Sequence, residues 1–190
     1  MKNYIKNYIN KSFEVKENIL NNEVLLTNIE NVAQTIINCY NQNKKILVAG
    51  NGGSASDSQH IVAELVSKFM FDRKALNAIA LTTNTSILTA VGNDFSHDYI
   101  FSRQIQAYGN EGDIFIAIST SGNSKNIIKA SEEAKKQGLK IIALTGIKKC
   151  LLDDLADITI KVPSEETSII QESHIMIGHI LCAIIEKEVC

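Results

Sequence analysis

The sequence has no tryptophan, a single proline (Pro163) and only 6% aromatic residues. It shows no Pro/Gly-rich linker, no internal repeat and no low-complexity segment. Neither sign of charge dominates: 19 basic residues face 21 acidic ones, for a net charge of −2. A chain this neutral has no global attraction for nucleic acid or anionic lipid. Its four cysteines, Cys39, Cys150, Cys182 and Cys190, form no CxxC pair and lie in or beside apolar stretches, where a thiol acts as a small hydrophobe. The N-terminal Met1-Lys2-Asn3-Tyr4-Ile5-Lys6 is too polar for a secretory signal. The thiols are therefore expected to be reduced, and the protein cytoplasmic. The longest apolar run, Ile175 to Ile185, is interrupted by Gly178 and His179 and is too short to span a bilayer. What remains is globular usage: 190 residues, 45% hydrophobic and 21% charged, enough for one domain with a sizeable core.

Two helices are expected over residues 1–43. Tyr4, Ile5, Tyr8, Ile9 and Phe13 recur at helical spacing, as do Leu25, Ile29, Val32, Ala33, Ile36 and Ile37. These stripes pack either into the core or against another subunit. Over residues 44–190 short apolar runs alternate with helical patterns. Strands are expected at Lys45–Ala49, Asn77–Leu81, Asp113–Ile118, Lys140–Leu144 and Ile158–Val162. Helices are expected at Ala55–Phe69, Thr85–Val91, Asp94–Tyr108, Ser124–Gln137 and Glu165–Glu188, with Gly138 as a C-cap. This alternation implies right-handed crossovers and a five-stranded parallel sheet in a three-layer, doubly wound α/β/α domain. Ligands of such sheets bind beyond the carboxyl ends of the strands, here the loops after Ala49, Leu81 and Ile118.

Ser119-Thr120-Ser121-Gly122-Asn123-Ser124 follows a strand and opens a helix. Hydroxyls, free N–H groups and a helix dipole converge there, which suits a phosphate. Alternatively, Ser124 is only an N-cap and the rest a polar turn. Neither the Walker spacing nor a lysine is present, which argues against a nucleoside-triphosphate loop. Gly50-Asn51-Gly52-Gly53-Ser54 also joins a strand to a helix. It is not GxGxxG, and a polar sugar could approach its backbone closely. His60 and Glu64 are i,i+4 on one helix, and Gln171 and His179 lie about two turns apart on the last. The first helix starts at the glycine loop, so His60 and Glu64 are expected near the strand ends. Imidazole, carboxylate and amide oxygen suit a borderline divalent ion such as zinc. The plain alternatives are an exposed polar pair and a satisfied core histidine. His97 and His174 are expected to be structural or surface residues.

The glycine and serine loops resemble those of the sugar isomerase (SIS) domain family. The chain is most similar to the phosphoheptose isomerases within it. The resemblance also rests on Asp57-Ser58-Gln59-His60 with Glu64, Ala78-Ile79-Ala80-Leu81-Thr82, Val91-Gly92-Asn93-Asp94, Phe101-Ser102-Arg103-Gln104, and Ile170-Gln171-Glu172 through Ile177-Gly178-His179. It covers nearly all of residues 1–190, read as one SIS domain. Lys68 stands where many relatives have arginine, and Asn84 where aspartate is common. The resemblance implies one zinc ion per subunit on His60, Glu64, Gln171 and His179. It implies a homotetramer with sites at subunit interfaces, and conversion of sedoheptulose 7-phosphate to D-glycero-D-manno-heptose 7-phosphate for bacterial surface heptose.

An aldose–ketose isomerase needs a carbon base, an acid/base at oxygen and charge stabilisation on an enediolate. Glu64 is the candidate base, which requires burial to bring its carboxyl toward neutrality, and His179 is the candidate at oxygen. Asn51, Gly52, Gly53, Ser54, Asn93, Asp94 and Gln171 are candidates for the sugar hydroxyls, and Ser119, Thr120, Ser121 and Ser124 for the phosphate. Three other readings stay open: a non-catalytic SIS protein that binds the replication initiator, a sugar-phosphate-sensing regulator, and an isomerase of another sugar phosphate. The Glu64–His179 pair favours the enzyme.

Overall fold

The computed structural model describes residues 1–190. Apolar β-branched runs become strands buried on both faces, and the intervening 3.6-residue patterns become the helices that cover them. The order is α1 (Lys2–Leu20), α2 (Glu23–Asn41), β1 (Ile46–Gly50), α3 (Gly53–Val66), β2 (Ala78–Ala80), α4 (Thr85–Asp94), α5 (Ser102–Tyr108), β3 (Ile114–Ile118), α6 (Lys125–Lys136), β4 (Lys140–Gly146), β5 (Ile158–Val162) and α7 (Thr167–Val189). All strand pairs are parallel, in the order β2-β1-β3-β4-β5.

Alternation along each strand splits the core in two. Ile46, Val48, Ile114, Ile116 and Ile118 face α2, α3 and α7, while Leu47, Ala49, Phe115 and Ala117 face α5 and α6. The chain leaves β1 toward β2 on one side and reaches β3 on the other. The switch point therefore lies between β1 and β3, whose last residues Gly50 and Ile118 are level. The glycine and serine loops leave the sheet side by side there.

Two local expectations need correction, and two become more specific. The α3 helix ends at Val66, with Ser67 as C-cap, so Phe69 lies in the strap that follows. The span Asp94–Tyr108 is not one helix. Asp94 closes α4, the Ser96 hydroxyl caps a 3-10 turn at His97–Tyr99, and α5 begins only at Ser102. Of the two N-terminal stripes, that of α2 is buried, but Ile19 is the only buried residue of α1. Finally, α7 as a whole is long and apolar enough to cross a membrane by length and composition. Here it serves as a core helix packed against α2 and α3, with Ile169, Ile170, Ile177, Leu181 and Ile185 buried.

Candidate active site

The serine loop keeps part of its hydrogen-bonding capacity free, although the Ser119 and Ser121 hydroxyls accept from the Gly122 and Asn123 N–H groups. Ser124 is the N-cap of α6 but makes no side-chain capping bond. Its Oγ instead lies 3.0 Å from Ser119 Oγ, and the backbone N–H groups of Thr120, Ser121 and Ser124 find no acceptor within the chain. Gly122 turns the loop at φ +65°, where a side chain would overlap Cys150. Free donors at the start of a helix form an anion site.

Across the switch point, Gly52 adopts φ +55°, and the Gly53 Cα packs on the Gln171 amide so closely that a Cβ would sit 2.7 Å from it. Asn51, Gly52, Gly53, Ser54, Ser119, Thr120, Ser124 and Gln171 line one cavity of about 260 Å³. Ile118 and, at the start of α7, Thr167 complete the lining, and Thr167 was missed in the sequence. The strand–loop–helix logic that marked the other loops applies equally after β5. Asn51 exchanges two 2.9 Å hydrogen bonds with Asn126, which fixes its amide in place. Ser121 points to a neighbouring cleft with Lys148 and Lys149. Asn93 and Asp94 sit exposed at the end of α4, bonded to each other and outside the lining.

His60, Glu64 and His179 do converge. His60 Nε2 is 3.1 Å from Glu64 Oε1 and 3.2 Å from His179 Nε2, and the ligand atoms of all three residues lie within 4.8 Å of one another. Ligands about 2.0 Å from a tetrahedral zinc ion stand roughly 3.3 Å apart, so the residues present fit such an ion. Gln171 turns toward Gly53 rather than toward this cluster.

The triad is lower in the fold than expected. Between Gly53 and Glu64 the helix rises about 16 Å, and between Gln171 and His179 about 12 Å. Helices α3 and α7 run side by side, with Gly53 against Gln171 and Ile61 against Gly178. The Glu64 side chain retains 24% of its exposure and that of His60 48%, so one chain alone does not fully bury the candidate base. His174 is the structural residue anticipated: fully buried, it donates through Nε2 to the Thr145 carbonyl. His97 is exposed, with Nδ1 3.4 Å from Asn126. Asn84 caps α4 by accepting from Ile87 N, as an aspartate would.

A family model described as SIS domain matches residues 7–146. A phosphoheptose isomerase of Aneurinibacillus thermoaerophilus is 57% identical over 100% of this chain and 96% of its own length. The chain belongs to the phosphoheptose isomerase family. A second relative of that name, from Sulfurimonas denitrificans, is 54% identical over 100% of this chain and 97% of its own. The structure of a phosphoheptose isomerase from Francisella tularensis superposes with a TM-score of 0.94 at 39% identity, covering 97% of each chain. Family membership makes the chain an isomerase, with a sugar phosphate as the implied substrate class.

Proposed function

We propose that the chain interconverts sedoheptulose 7-phosphate and D-glycero-D-manno-heptose 7-phosphate, supplying heptose for bacterial lipopolysaccharide or capsule. The reading rests on one observation above the others: two imidazoles and a carboxylate converge on one point between α3 and α7, the two helices that also wall the phosphate-type cleft. The donors of Ser119, Thr120, Ser121 and Ser124 hold the phosphate. Asn51, Gly52, Gly53, Ser54 and Gln171, which line the cleft, order the hydroxyls. Glu64 removes the C1 proton as the C2 carbonyl oxygen gains one from His179, giving the enediol. Proton return to C2, with loss of the O1 proton, gives the aldose. His60, Glu64 and His179 would hold one zinc ion per subunit, with Gln171 proposed as a further ligand, and the ion when bound polarises the carbonyl and hydroxyls.

The proposed assembly is a homotetramer with sites at subunit interfaces. Its support is the helical rise separating cleft and triad, and the open side of Glu64. A cytoplasmic setting is proposed on four free cysteines, three of them buried. Residues 1–190 are proposed as one SIS domain.

The test is NMR of purified protein with sedoheptulose 7-phosphate, with and without zinc. A new aldose phosphate, formed faster with zinc, supports the reading. Metal-replete protein that binds the sugar without converting it overturns the reading in favour of an interaction protein. Glu64→Gln should lower turnover at least 100-fold while sugar-phosphate binding persists, and an active variant removes Glu64 from the base role.

A further inference from the structure

The strap that follows α3, residues 67–76, is tied down by a buried ion pair. Arg73 Nε donates to Glu186 Oε1 at 3.0 Å, and the two side chains are 3% and 1% exposed. The same carboxylate accepts from Phe69 N at 2.8 Å and Met70 N at 2.6 Å. Burial pushes the Glu186 pKa up, but these two N–H groups and the guanidinium outweigh it and leave it lowered. The other guanidinium nitrogens close the end of α3: Arg73 Nη2 donates to the Glu64 carbonyl and Nη1 to the Leu65 carbonyl, each at 2.7 Å. A cation on these last carbonyls caps the helix and complements its dipole. Glu186 lies seven residues after His179 on α7, hence on the same face two turns on. The Phe69 ring stacks on His179, with centroids 5.5 Å apart and planes 30° apart.

One network thus touches the backbone of Glu64 and the ring of His179, yet none of its members belongs to the triad. We propose that Arg73, Glu186 and Phe69 are positioning residues, fixing Glu64 and His179 relative to each other across the gap between α3 and α7. Arg73 requires its planar fork, which reaches the carboxylate through Nε and the two carbonyls through Nη1 and Nη2, whereas a lysine ammonium places all its donors on one point. Ties of this kind orient metal-binding side chains, and their loss commonly weakens binding 10- to 100-fold.

The inference rests on the isomerase and zinc readings above, and its test separates the two. Arg73→Lys, Glu186→Gln and Phe69→Leu are compared with the wild type for zinc affinity by chelator competition, Co(II) absorption spectrum, melting temperature, and kcat and KM on sedoheptulose 7-phosphate. We expect Arg73→Lys and Phe69→Leu to bind zinc 10- to 100-fold more weakly. Their cobalt bands should shift and kcat should fall, with KM within about 3-fold of wild type. Unchanged zinc affinity, cobalt spectrum and kcat alongside a lowered melting temperature would reduce the pair to a structural tie and overturn the inference. A wild type without zinc affinity defeats the metal reading instead. The kcat–KM split then decides: lowered kcat at constant KM supports positioning, and unchanged kcat overturns it. Where an ion-pair variant fails to fold, the same measurements on Phe69→Leu, which leaves Arg73 and Glu186 in place, support or overturn the inference.

Discussion

Gly122 leaves the serine loop no room for a side chain. Its φ of +65° is costly for any L side chain, and a Cβ there would overlap Cys150. Gly122→Ala should destabilise the protein by about 1–3 kcal/mol and raise KM for the sugar phosphate more than it lowers kcat, as steady-state kinetics would show. A second residue-scale effect concerns acid. Burial holds the His174 imidazole down at about 4, against the upward pull of its bond to the Thr145 carbonyl. Between roughly pH 6.5 and 4 the unfolded chain takes up this proton and the folded one does not, so stability falls with falling pH across that window. The loss reaches at most about 3 kcal/mol. Asp57 has the opposite sign. Burial lifts its carboxyl from 3.8 to about 6, partly countered by His60, so its contribution declines as pH rises through that range. Its Oδ2 is buried and unpartnered. Urea unfolding should therefore find Asp57→Asn more stable at pH 7.5 by about 1 kcal/mol, the half-exposed carboxyl being screened, with the gain vanishing near pH 4.

At the scale of elements, the decisive contact is the crossing of α3 and α7. A Cβ on Gly178 would lie 2.8 Å from Ile61 Cγ1 and 2.9 Å from Cδ1. Each of these residues neighbours a triad histidine in sequence, and the His60 and His179 rings lie 4.8 Å apart. Gly178→Ala should spread the helices, cost about 1–3 kcal/mol and weaken zinc binding. Ile61→Ala in the same chain should restore part of the zinc affinity by making room, a coupling that a double-mutant cycle measures. This contact also marks the limit of what the sequence made legible. The strands, the switch-point loops and the spacing of His60, Glu64, Gln171 and His179 follow from periodicity and motif, because each is set within one element. How far α3 and α7 slide past each other is set by packing between elements distant in the chain. Hence the triad lay lower than expected and Gln171 turned to Gly53. Thr167 was marked only by its place after β5, while Asn126, Phe69, Arg73 and Glu186 gave no signal, since an ordinary residue acquires a role here only through a partner remote in sequence. The break at Ser96 was hidden because apolar positions on both sides keep a helical period.

For the whole molecule, the orientation of α1 reverses the usual arrangement of a surface helix. Apart from Val15 and Ile19, which pack on the core, the side facing its own chain is polar: Tyr8 bonds to Ser168, Lys11 to Glu166 at 2.5 Å, and Lys16 to Glu172 at 2.6 Å. Surface pairs of this kind contribute about 0–1 kcal/mol each, a weak anchor for 19 residues. The apolar side faces outward, with Tyr4 75%, Ile5 54%, Ile9 59% and Phe13 65% exposed. An unpartnered apolar stripe of this size is a liability in water, and a second copy of the chain presenting the same stripe is the simplest cover for it. The open side of Glu64 points the same way, because a neighbouring subunit would supply the burial that one chain lacks. Ile5→Glu with Ile9→Glu should therefore shift the protein to monomers in sedimentation experiments while its circular dichroism is retained. If sites are shared between subunits, kcat should fall with that dissociation, at least 10-fold at micromolar protein, and recover at higher concentration as copies reassociate. Activity that follows the monomer fraction without loss would place the whole reaction within one chain.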